Sequence, residues 1–152
     1  GMSIRYWSRT RLTADRERAA DATWCPTLRE LASSADFVSV HTPATPETRH
    51  LIDAGVLATM RPGAFLVNTA RGDVVDEVAL LESLTSGQLG GAALDVFDGE
   101  PHVRPAVLAS PKIVTLPHLG SATLESRVAM GERVLANIGA WVRGADLPDR
   151  VA

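Results

Sequence analysis

The order of elements read from this chain predicts an α/β domain with a parallel sheet, and three observations carry that prediction. Apolar, β-branched runs alternate with helical patterns along nearly the whole length, the arrangement that sandwiches a parallel sheet between helices. The stretch Ala64 to Gly72, AFLVNTARG, opens with an apolar run that reads as a strand buried on both faces. Successive strands end in polar residues: Arg71, then Asp95 and Glu100, then His118. In a parallel sheet those ends share one edge, and that edge is where open α/β sheets bind ligands.

Ile4 to Ser8 (IRYWS) reads as the first strand, and Thr10 to Ala20 as a loop or short helix. A short strand follows at Ala22 to Cys25. Thr27 with Glu30 makes a capping box that opens a helix. Asp36 to Thr42 is a strand stopped by Pro43 and Pro46, and short helical pieces lie between Pro46 and Met60. Arg61-Pro62-Gly63 is a turn. Asp76 caps a helix running to Ser86, with Gly87 just beyond its end. Gly91 to Phe97 and Ile113 to Leu116 are the remaining strands, joined by a loop and short turn. A long helix is expected from Ser121 to Gly144, with Val128, Leu135, Ile138 and Val142 on one apolar face. The tail from Ala145 is expected to be loosely held.

The 152 residues suffice for one domain with a core and are too few for two ordinary ones. A net charge of −3 argues against general affinity for nucleic acid or anionic membrane. No apolar run is long enough to span a bilayer. Cys25 is the single cysteine, so no internal disulfide can form. That count and an opening without a signal pattern predict a cytoplasmic protein.

Arg71 offers a fork suited to a carboxylate; the alternative is an arginine paired with a surface acid. His118 sits in PHLGS, between a strand end and a helix start, where an imidazole can serve as acid or base. The alternative is a structural or solvated histidine. A neighbouring carboxylate would favour its protonated form.

Five stretches, YWSRTR, SADFVSVHTPATPETRHLI, MRPGAFLVNTARGDVVDE, GAALDVFDGEP and PHLGSAT, together resemble the D-isomer-specific 2-hydroxyacid dehydrogenases. The glyoxylate and hydroxypyruvate reductases among them are the most similar, over about Ile4 to Gly144. The resemblance implies a Rossmann-like parallel sheet with helices on both faces. It implies reduction of a 2-oxo acid, with Arg71 on the substrate carboxylate, His118 as proton donor and Glu100 supporting His118. Ser8, Arg9, Thr42, Pro43, Thr48, Thr69, Ala70, Asp95, Gly120 and Ser121 match positions that line the cofactor.

Ser8, Arg9 and Arg11 stand where an NAD-specific fold keeps an acid, so NADP is favoured over NAD. The alternative is two exposed arginines on a solvated loop. The 152 residues contain no G-x-G-x-x-G, so the fold is expected to lack the first strand and helix, and cofactor binding is expected to be weak. The substrate lobe is expected to be absent, making the chain a truncated dinucleotide-binding domain. In the usual strand order the missing strand is central. Two outcomes are therefore expected: the Ile4 strand closes up beside the Asp36 strand, or two copies fill each other's gap as a homodimer or strand-exchanged oligomer. A non-catalytic remnant and a corepressor-like sensor of nicotinamide nucleotides are the competing functions.

Overall fold

The structure is a computed structural model and describes residues 1–151. Its strands are β1 (Ile4–Tyr6), β2 (Ala22–Trp24), β3 (Phe37–Val40), β4 (Ala64–Asn68), β5 (Leu89–Leu94) and β6 (Ile113–Thr115). Its helices are α1 (Ala14–Ala20), α2 (Leu28–Ser34), α3 (Ala54–Thr59), α4 (Glu77–Thr85), α5 (Pro105–Ala109) and α6 (Leu124–Val142). The architecture is Rossmann-like, a parallel sheet with helices on both sides. The chain forms two compact units, Gly1–Pro117 and a second beginning at His118.

In the first unit every strand pair is parallel. β1 pairs with β2, while β3, β4, β5 and β6 form a separate four-stranded sheet in that order. The Ile4 strand therefore does not close up beside the Asp36 strand, and that expectation is overturned. The physical reason lies in α2. Its Ala32 belongs to the main core, Leu28 packs against that core, and Arg29 Nη1 donates to the Gly55 carbonyl at 3.0 Å. Sliding β1 and β2 towards β3 would pull α2 off α3.

The core lies between the four-stranded sheet and its helices, and contains Val38, Val40, Leu57, Leu66, Leu80 and Leu94. Strand alternation puts Ala64, Leu66 and Asn68 on this buried face. The expectation that β4 is buried on both faces fails at Phe65, which is 41% exposed and stacks on Phe37 with ring centroids 5.2 Å apart. The apolar run reports β propensity on both faces, but tight packing reaches one of them.

Local signals read from the chain hold where side chains close on their own backbone. Thr27 and Glu30 form the expected capping box. Asp76 Oδ1 accepts the Val78 and Ala79 N–H groups at the start of α4, and Gly87 beyond its end has φ +80°. The short helix α5, which opens with Pro105, stands where a loop and turn were expected.

In the second unit α6 begins at Leu124 rather than Ser121, because Thr123 takes the cap and accepts the Ser126 N–H at 3.2 Å. Val128, Leu135, Ile138 and Val142 lie 50–71% exposed. The tail is not loosely held at Asp149, whose carboxylate pairs with Arg133 and accepts from Asn137 Nδ2 at 2.7 Å.

Candidate functional site

Parallel strands put the carboxyl ends of β3, β4, β5 and β6 on one edge of the four-stranded sheet. At the end of β4 the buried Asn68 shapes the turn: its Oδ1 accepts the Ala70 N–H at 3.0 Å, and its Nδ2 donates to the Arg71 carbonyl at 2.9 Å. These two bonds close the turn after β4, leave Thr69 exposed and set the backbone of Arg71. The Arg71 guanidinium is exposed, donates to the Ala70 carbonyl at 2.6 Å and joins no ion pair among the described residues. The alternative of an arginine occupied by a surface acid is therefore not what the structure presents.

Gly72 is buried directly after Arg71, and its missing side chain has a structural purpose. A Cβ there would stand 1.9 Å from the Phe97 carbonyl carbon and 2.4 Å from the Asp98 nitrogen. The close approach seats the segment after β5 against the segment after β4, so Arg71 and Glu100 belong to touching loops. Asp95 is 5% exposed and its N–H donates to the Asn68 carbonyl at 2.9 Å. Glu100 lies in the turn that follows, with Oε1 accepting the Phe97 N–H at 2.8 Å; its peptide bond to Pro101 is cis.

The residues expected at the cofactor's adenine end follow β1. Ser8 Oγ donates to the Thr10 carbonyl at 2.6 Å, and Arg9 is exposed. Arg11 is committed elsewhere. Its Nε and Nη2 grip Glu17 at 2.8 and 2.9 Å, and its guanidinium lies over Trp24, 5.1 Å from the ring centroid. The Glu17 carboxyl is held down to about 2 by the hydrogen bond from Arg11 and then by that from Tyr6. The 2′-phosphate reading thus keeps Ser8 and Arg9, while Arg11 already has a carboxylate.

After β3, Thr42 and Pro43 lead into a loop closed by the buried Thr48. Its Oγ1 donates to the Pro43 carbonyl at 2.7 Å and accepts the Thr45 N–H at 2.8 Å. The hydroxyl of Thr48 therefore shapes the loop that carries Pro43.

The second unit opens with His118, whose φ of +55° lies in the left-handed region. Non-glycine residues there are uncommon and cluster at functional sites. Gly120 and Ser121 follow in the exposed segment before α6, where Leu119 accepts the Ala122 N–H at 2.9 Å.

Sequence reasoning missed Asn68 as the organiser of the Arg71 turn, Gly72 as the contact between two loops, and Glu77 beneath Asp98. A buried polar residue at a strand end, and a glycine following a candidate arginine, were available signals. The burial of Glu77 was not, because a first-turn acid ordinarily reads as a solvated partner of the helix dipole.

Polar side chains gathered at the carboxyl edge of a parallel α/β sheet define a nucleotide-binding type of domain. The model of the D-isomer specific 2-hydroxyacid dehydrogenase NAD binding domain matches residues 1–120, and the chain belongs to that family. It is 42% identical over 152 residues to a glyoxylate reductase of Thermococcus litoralis, covering 99% of this chain and 45% of that protein. The NADPH-dependent glyoxylate/hydroxypyruvate reductase of Sinorhizobium meliloti, solved with NADP and malonate, superposes with a TM-score of 0.92. It is 38% identical, covering 100% of this chain and 46% of that one. The holo D-mandelate dehydrogenase of Rhodotorula graminis gives a TM-score of 0.94 at 34% identity, covering 100% of this chain and 44% of that one. The chain thus spans less than half the length of these relatives.

Proposed function

We propose that the chain carries the nucleotide-binding part of an oxidoreductase that reduces a 2-oxo acid, such as glyoxylate or hydroxypyruvate, with NAD(P)H. The observation that carries this reading is Arg71, an exposed guanidinium at a strand end with no carboxylate partner among the described residues, in a chain 42% identical to a glyoxylate reductase.

Arg71 binds the substrate carboxylate through its planar fork and orients the neighbouring carbonyl. His118 gives a proton to the carbonyl oxygen as it becomes a hydroxyl. Glu100 supports His118 in that role. The nicotinamide, when bound, supplies the hydride. Ser8 and Arg9 fit the ribose and 2′-phosphate end, which favours NADP. Thr42, Pro43, Thr48, Thr69, Ala70, Asp95, Gly120 and Ser121 fit the rest of the cofactor. The sequence offers no glycine fingerprint for the pyrophosphate, so binding to this chain alone is weak.

A second reading is a nucleotide-fold domain with little activity alone, self-associating through its unpaired strand edges. It is favoured by β1 and β3, each paired with one neighbour only. The free buried Cys25 fits a reducing cytoplasm under either reading.

Both are tested by following NADPH and NADH oxidation with glyoxylate and hydroxypyruvate, alongside light scattering. Turnover that prefers NADPH and vanishes in Arg71→Ala supports the first reading. An inert, self-associated chain supports the second, and tighter binding of NADH overturns the NADP preference.

A further inference from the structure

Glu77 is a carboxylate that the proposed chemistry does not use, and it is 3% exposed at the first position of α4. A surface acid in a helix's first turn needs no burial to favour the helix dipole. Burying it carries a desolvation cost that must be met by specific hydrogen bonds. Glu77 Oε1 accepts the Asp98 N–H at 2.9 Å. Its Oε2 is buried without a hydrogen bond and faces Arg104 Nε at 3.5 Å.

The peptide it grips stands two residues before Glu100. The adjacent Phe97 N–H donates to Glu100 Oε1 at 2.8 Å. Consecutive N–H groups thus go to Glu77 and to Glu100, which ties the two carboxylates to one short piece of backbone. Two further contacts hold that piece. Gly72 lies against the Phe97 carbonyl and the Asp98 nitrogen. The Asp98 carboxylate meets His50 Nε2 at 3.4 Å and Arg49 Nη2 at 3.8 Å.

We infer that Glu77 is a positioning residue for Glu100: it fixes the Phe97–Asp98 backbone, and that backbone sets where the Glu100 carboxylate stands relative to Arg71. This inference rests on the proposed function for its catalytic meaning, but its structural content stands by itself. Supporting hydrogen bonds of this kind hold reactive groups to within fractions of an ångström.

The test is amide hydrogen exchange by NMR on the full chain, comparing Glu77→Ala and Glu77→Gln with the parent. Gln keeps an oxygen acceptor for the Asp98 N–H; Ala does not. In Glu77→Ala, exchange at Asp98 and at Phe97 is expected to speed up by roughly ten-fold or more, while Leu66 and Leu94 stay protected. Glu77→Gln is expected to restore protection to within about three-fold. Where the parent turns over a 2-oxo acid, Glu77→Ala is also expected to lower kcat with little change in KM, and Gln to rescue it.

Faster exchange at Asp98 without any change at Phe97 overturns the inference, because the grip would then stop short of Glu100. Uniform loss of protection across the sheet also overturns it, since Glu77 would then only stabilise the fold. An inactive parent sinks the functional reading and leaves the exchange result to decide this one.

Discussion

Arg71 follows a strand in which Ala64, Leu66 and Asn68 are buried, whereas His118 opens a unit in which Ala140 is the one buried residue among those described. The backbone of Arg71 is set by two hydrogen bonds from Asn68 and by the close seat of Gly72. His118 instead occupies a left-handed conformation, followed by an exposed segment and a helix with an exposed apolar face. The difference teaches that two members of the proposed catalytic set need not sit in equally buried surroundings. The backbone of Arg71 is tied to a buried polar side chain, while His118 holds a left-handed backbone.

The sharpest way to probe that contrast is on the reaction itself. His118→Asn is expected to lower kcat by about 10²–10⁴, the range a lost proton donor produces. Arg71→Ala is expected to cost at least about ten-fold in KM as well as turnover, because it removes the proposed bidentate carboxylate contact. Steady-state kinetics checks both. A His118→Asn variant with parental kcat would return that histidine to a purely structural residue.

Stability should separate the two regions next. Leu66→Ala, in the fully buried row of β4, is expected to cost about 2–5 kcal/mol in urea unfolding. Leu135→Ala, at 69% exposure on α6, should stay within about 0.5 kcal/mol. Equal losses at the two sites would mean that α6 is covered in solution.

Gly72→Ala tests the seat between the Arg71 and Glu100 loops. The new Cβ meets backbone rather than a flexible side chain, so a loss of about 1–3 kcal/mol is expected. A thermal melt unchanged from the parent would show that the two loops part easily.

The smallest effect concerns the Tyr6–Arg11–Glu17 cluster. The folded Glu17 carboxyl is depressed to about 2 from an ordinary 4.5. Its contribution is therefore present above the ordinary value and is lost as pH falls through that window. Glu17→Gln should flatten this part of the acid limb, read as urea midpoints at several pH values. Parallel limbs for parent and variant would show that Arg11 gives Glu17 no net support.

Much of the fold was legible because its signals are local. A capping box at Thr27, an aspartate cap at Asp76 and a glycine in the left-handed region at Gly87 each close on their own backbone. The candidate arginine was legible from its place after an apolar strand. Burial was less so. The same apolar spacing describes Leu66 and Leu135, and only packing distinguishes them. Arg11 looked like a phosphate ligand until Glu17, six residues on, took its guanidinium.

By itself the sequence determined most of the elements, their order and the polar strand ends, since caps, turns and apolar runs act over a few residues. Tertiary structure alone decided that β1 stays with β2, that Phe65 and the face of α6 lie open, and that Glu77 reaches Asp98. Those outcomes depend on which surfaces meet across the chain. Residues 77 and 98 are joined by a hydrogen bond whose partners carry no mark of each other in the sequence between them.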